Sequence, residues 1–149
     1  MKTFLVPVDF SAVTEKVIEA ALAQAGAFQG RVVLLHVIQP PVVSGGEYAL
    51  PVSVVEEAVN STRVGVRRKL EALVDTFDEA GIDCTYDDAV GAPDRAILDA
   101  ARHHHADCVI MGSHGHGKLY DFLVGSTASG VLKRIKCAVL IVPPVDKRP

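Results

Sequence analysis

The chain has 149 residues, 49% hydrophobic and 22% charged, with a formal net charge of -3, which suits one domain with a sizeable core. The slightly acidic balance supplies no basic field for nucleic acid, and with no Trp and only 5% aromatic residues there is little for bases to stack on. Lys2 is followed by an apolar run broken at Pro7 and Asp9, too short for a secretory leader or a membrane span, so a cytoplasmic location without membrane insertion is expected.

Thr3 to Val8 is a continuous apolar run ending at Asp9, as in a parallel strand buried on both faces. Ser11 is placed to cap a helix in which Val13, Val17, Ala21, Ala25 and Phe28 recur at helical spacing, ending near Gly30. Val32 to Ile38 is a second buried strand, which completes the strand-helix-strand unit that joins parallel strands. From Gln39 to Pro51, three prolines and two adjacent glycines mark an irregular connection.

A long helix then carries Val55, Val59, Val66, Leu70, Leu73 and Phe77 on one face, with Arg63, Arg67, Arg68 and Glu71 off it, and Gly81 stops it. Ile82 to Ala89 is a less apolar strand bearing Asp83, Asp87 and Asp88, as expected nearer a sheet edge. After Gly91 and Pro93 a shorter helix uses Ile97, Ala100 and Ala101 and runs into His103, His104 and His105. Neighbours on a helix point about 100° apart, so these imidazoles do not converge on one ion and instead complement the helix dipole. Strand Cys108 to Met111, helix Ser126 to Ile135 and strand Ala138 to Val142 complete a strand-helix alternation without internal repeats. The fold class is a single doubly wound α/β domain. Cys84, Cys108 and Cys137 form no C-x-x-C and sit in or beside apolar runs, as buried reduced thiols and not metal ligands.

The most informative stretch is DCVIMGSHGHGKLYDFLVGST, from Asp107 to Thr127. Its glycines let backbone N–H groups approach a ligand, a property that suits phosphate. Gly112 to Lys118 matches the first seven positions of a P-loop, but Leu119 replaces the Ser or Thr that would hold magnesium. A dinucleotide fingerprint also fails, because Tyr120 occupies the place of its third glycine. A wider pattern remains, G-x-x-G, nine residues, then G-S, on Gly112, Gly115, Gly125 and Ser126.

With the opening FLVPVDFS and the closing CAVLIVP, this pattern resembles the nucleotide-binding branch of the universal stress protein family over nearly the whole chain. The resemblance implies an open Rossmann-like sheet of order 3-2-1-4-5 and ATP, or AMP or ADP, bound by the glycine loop. It places Asp9 at the ribose hydroxyls or adenine, an acceptor suited to hydroxyl donors, with Pro7, Val8 and Val37 walling the base and Met111 flanking the ribose or base. Gly112, Ser113 and Gly115 would approach ribose and phosphates, and Gly125, Ser126, Thr127 and Ala128 would offer phosphate donors. His114 and His116 each either donate to a phosphate or face solvent, with His116 slightly preferred as the contact, and Lys118 either screens phosphate charge or is solvated. Asp9 also fits a simpler role at the strand end, and core packing alone accounts for both valines. Magnesium would ride on the phosphates, since no protein cage for it is visible. The resemblance further implies a homodimer through Ala138 to Val142, where Ala138 stands in place of a frequent proline and should free an N–H.

Two function classes fit these residues. One is a nucleotide-binding regulatory module in stress response, whose bound state is read by an unidentified protein partner. The other is a slow ATPase or self-phosphorylating enzyme using the same pocket. The first is favoured, because no group that would position an attacking water is evident and no catalytic residue is assigned.

Overall fold

A computed structural model describes residues 1–41, 49–114 and 124–144. In chain order the elements are β1 (Thr3–Pro7), α1 (Thr14–Phe28), β2 (Arg31–Ile38), α2 (Val52–Glu79), β3 (Cys84–Val90), α3 (Pro93–His103), β4 (Cys108–Gly112), α4 (Ser126–Leu132) and β5 (Ala138–Val142). The strands form one parallel sheet of order β3-β2-β1-β4-β5, the doubly wound arrangement expected from the alternation and the resemblance.

Strand periodicity sorts the core into two layers. Phe4, Val6, Val32, Leu34 and Ile110 face α1 and α2 and pack with Val17, Ala21, Leu70 and Phe77. Leu5, Val33, Leu35, Val109 and Met111 face the other way and pack with Ile97, Ala101, Ala128 and Val131 of α3 and α4. The central strands are apolar without a break because both of their faces are covered.

Several local expectations change. The α1 N-cap is Val13 and no side chain caps the helix. Ser11 instead accepts the Thr14 N–H through its carbonyl at 3.0 Å, while its hydroxyl is buried without a partner among the described residues. Phe28 is 59% exposed, because the last turn of α1 passes the rim of the sheet, where the ring meets Phe4 at a centroid distance of 6.2 Å. β1 ends at Pro7, β3 starts at Cys84 and α4 ends at Leu132 before a turn at Lys133 and Arg134. Among the thiols Cys84 is buried, whereas Cys108 and Cys137 are half-buried. Burial pushes the Cys84 thiol up to about 12 and raises the other two, which keeps them protonated and weak as ligands or nucleophiles.

β3 is an edge strand, as its aspartates suggested, and α2 pins it through charge. Asp88 accepts hydrogen bonds from Arg63 Nε at 2.7 Å and Arg67 Nε at 2.8 Å, and the Tyr86 hydroxyl donates to Glu71 at 3.1 Å. His104 at the α3 terminus reaches Asp87 through Nε2 at 2.9 Å. No group of three or more His, Cys, Asp or Glu placed to hold a metal occurs among the described residues. No helix among them is long and apolar enough to cross a membrane. β5 forms the other edge. The Ala138 N–H, expected to be free, donates to the Asp107 carbonyl at 3.3 Å, because the amide at this position turns inward toward the neighbouring strand.

Burial pushes the Asp88 carboxyl up, but the hydrogen bonds from Arg67 and Arg63 outweigh it and hold the group below the ordinary carboxylate range. A depressed folded-state value stabilises the fold above the unfolded value, and the effect is lost as pH falls through the folded one. Asp88→Asn is therefore expected to lower the urea midpoint at neutral pH. The gap from the parent should close in acid, as Asp88 of the parent takes up its proton. A difference that stays constant with pH would assign the effect to packing alone.

Candidate functional site

The site lies where the chain leaves the sheet in two directions. β1 and β4 are neighbours, with Phe4 opposite Cys108 and Leu5 opposite Val109. β1 leads into α1 on one face and β4 leads toward α4 on the other, so a crevice opens beyond their carboxyl ends, the usual place for a ligand in such sheets.

At the end of β1, the Val8 N–H donates to the Leu35 carbonyl at 2.8 Å and carries the chain one residue past the strand. Asp9 follows, and its Oδ1 accepts the Ser11 N–H at 3.0 Å. The carboxylate thus shapes the turn into α1, and the residue also lines the crevice.

At the end of β4, Ser113 is held by its backbone. Its N–H donates to the Val142 carbonyl at 2.8 Å, and its carbonyl accepts the Gly125 N–H at 2.6 Å. The second bond brings the start of α4 back against the strand end. A Cβ on Gly125 would stand 3.0 Å from that carbonyl, and one on Gly112 would stand 2.8 Å from Val13 Cγ1. These two glycines permit close approach of the chain to itself, which leaves the crevice open.

The result is a cavity of about 810 Å³, within the range of small-molecule sites. Pro7, Val8 and Asp9 line it from β1, Val37 from β2, and Met111, Gly112 and Ser113 from β4. Gly125, Ser126, Thr127 and Ala128 line it from the α4 side. Sequence-predicted positions far apart in the chain thus share one wall. Gly115 and His116, with Lys118, lie outside the described residues. Val37 and Met111 also belong to the α3–α4 core layer, so packing and cavity wall are one surface there.

The cavity also takes residues that sequence reasoning missed. Thr14 contributes from α1, His36 and Gln39 from the end of β2, and Pro93 and Asp94 from the start of α3. His36 donates through Nδ1 to the Val8 carbonyl at 2.8 Å and stacks on Phe10 at 4.8 Å between centroids. Its signal was available, as the one polar residue inside the apolar run VVLLHVI. Thr14 and Asp94 had none, because their helical positions read as ordinary first-turn polar residues.

Two lining residues, Thr14 and His114, each carry a buried polar atom, Oγ1 and Nε2, with no hydrogen-bond partner among the described residues. Leaving such an atom unpaired costs about 1–3 kcal/mol. A lining that also carries several hydroxyl side chains suits a ligand with oxygens. Gly112 and Gly125 narrow their side of the cavity without filling it, and Ser126 and Thr127 add hydroxyls nearby. These features fit a phosphorylated ligand, and the apolar Val37, Ile97 and Met111 fit a flat base.

The model of the universal stress protein family matches residues 1–143. The universal stress protein Sll1388 of Synechocystis sp. is 30% identical over 148 residues, covering 93% of this chain and 95% of that protein. The universal stress protein MJ0577 of Methanocaldococcus jannaschii is 30% identical over 152 residues, covering 95% and 94%. The solved structure of MJ0577 superposes with a TM-score of 0.78 at 28% identity, over 98% of each chain. A universal stress protein solved in complex with cAMP shares the fold, with a TM-score of 0.66 at 23% identity, over 97% of this chain and 98% of that one. The family model and these relatives each span nearly the whole chain, which therefore belongs to the universal stress protein family.

Proposed function

We propose that the cavity binds an adenine nucleotide and that the protein acts as a nucleotide-dependent regulatory module. The observation that carries this reading is the convergence of the described positions of the glycine pattern with Asp9 and Val37 on one cavity. Two of its lining residues, Thr14 and His114, carry buried polar atoms without a hydrogen-bond partner among the described residues. The cAMP complex of a protein with the same fold supports the ligand class. In this reading Asp9 meets the ribose hydroxyls or the adenine, Pro7, Val8 and Val37 wall the base, Met111 flanks the ribose or base, and Ser113, Gly125, Ser126 and Thr127 surround the phosphates, a role expected also of Gly115 and His116. ATP is the expected ligand, and magnesium would arrive on its phosphates. A bound-state difference between ATP and AMP would then alter a surface read by another protein. The compartment that fits this role is the cytoplasm.

Calorimetry with ATP and AMP tests the reading. Asp9→Ala is expected to weaken both by similar factors, about 1.5 to 3 kcal/mol for a lost charge-assisted hydrogen bond. Ser126→Ala should weaken ATP more than AMP, because AMP lacks the outer phosphates. A parent chain that binds neither nucleotide would sink the reading. Rapid release of ADP at catalytic amounts of protein would move it to the enzyme class.

We also propose a homodimer through β5. This strand is an edge of the sheet, and edges attract partner strands. Because the Ala138 N–H turns inward, strand alternation turns the Val139 N–H toward the open edge. Val139→Pro removes that donor at an edge position that tolerates proline. The parent is expected to scatter light as two chains and the variant as one, with the circular dichroism of both alike. A parent mass of one chain would refute the dimer.

A further inference from the structure

We propose that His36 is a positioning residue of this site, which sets Asp9 for the ligand by holding the chain on both sides of it, at the Val8 carbonyl and at the Phe10 ring. This rests on the nucleotide reading of the cavity and assigns a role at its ribose and base end.

The chain leaves the sheet here under the control of a side chain. The Val8 N–H still donates to the Leu35 carbonyl at 2.8 Å, but the Val8 carbonyl accepts from His36 Nδ1, also at 2.8 Å. On the far side of Asp9, Phe10 takes a left-handed backbone with a φ of 59°. That conformation is unfavourable for a bulky residue and persists only where the surroundings hold it. Two elements do so. The His36 imidazole of β2 stacks on the Phe10 ring at 4.8 Å between centroids with 27° between the planes, and the Lys69 ammonium of α2 stands over the same ring at 5.0 Å. An ammonium over an aromatic face is attracted to it.

Asp9 lies between these two anchors. Its Oδ1 accepts the Ser11 N–H at 3.0 Å, so the direction of the carboxylate is tied to the turn that Phe10 makes. His36 therefore touches both neighbours of the residue assigned to the ribose or base, and it lines the cavity beside that residue. Leu34 and Ile38, on the same face of β2, are buried in the α1–α2 core layer. An imidazole between them gives up apolar burial, and what it gains is the hold on Val8 and Phe10. A binding group keeps its contact only when it is held within about 0.5 Å of its working geometry. One fixed in advance also loses little freedom when the ligand arrives.

The test is calorimetry of the full chain with adenosine, AMP and ATP on the parent, H36F, H36N, D9A and the two double variants. H36F keeps a ring to stack on Phe10 and lacks the donor, whereas H36N keeps an amide N–H near Nδ1 and lacks the ring. Each is expected to weaken all three ligands alike, by about fivefold or more. In the D9A background the same substitutions should change affinity by less than about twofold, because residues that act through one group are not additive. A merely structural role would cost the same in both backgrounds. Either histidine variant carries the comparison if the other fails to fold. Hydrogen exchange of the Ser11 amide, which Asp9 binds, reads the positioning without ligand and should quicken in both variants. Equal losses with and without Asp9, unchanged affinity in both variants, a loss confined to ATP, or unchanged Ser11 exchange would each overturn the proposal while leaving nucleotide binding intact. Absence of nucleotide binding by the parent would overturn both.

Discussion

Burial of the parallel sheet on both faces is the constraint on which the rest of this structure depends. Each central strand sends alternate side chains to opposite layers, so helices must cover both sides. α1 and α2 occupy one layer and α3 and α4 the other. Adjacent strands β1 and β4 must then lead to helices on opposite faces, and among the described residues a crevice opens beyond their ends. The cavity is a consequence of that topology. Its apolar walls are the ends of the core layers, which is why Val37 and Met111 belong to both.

The polar side of the cavity is organised by Ser113. One residue joins the end of β4 to the end of β5 through its N–H, and to Gly125 through its carbonyl. Its hydroxyl orients His114. Gly125 accepts this arrangement because a side chain there would crowd the Ser113 carbonyl. The glycine pattern is thus partly a packing requirement of the protein on itself. The same close approach brings Ser126 and Thr127 to the cavity, so packing and the cavity lining have one cause.

The edges of the sheet are treated differently. β3 is held down by Arg63, Arg67 and Glu71 of α2 acting on Asp88 and Tyr86, which ties that edge to its own chain. β5 carries an apolar sequence whose inner residues are half-buried. Charge at one edge and apolar side chains at the other give the molecule a polarity suited to pairing through β5.

The amino-acid sequence by itself determined the element order, the two-sided burial of β1 and β2, and the residues of the glycine pattern. Those features are local: apolar runs, helical spacing and breaks at glycine and proline can be read within a few residues. Phe28 and Ser11 were misread because exposure at the sheet rim and the choice of N-cap depend on what the helix packs against. The joining of Asp9 to Gly112 and Gly125 came through family resemblance, since spacing alone carries no strand order. Thr14, His36 and Asp94 reach the cavity from three other elements, and only the tertiary structure decided that they meet there. It also decided that His114 Nε2 is buried without a partner among the described residues, because burial and hydrogen bonding are properties of surroundings that the linear chain does not contain.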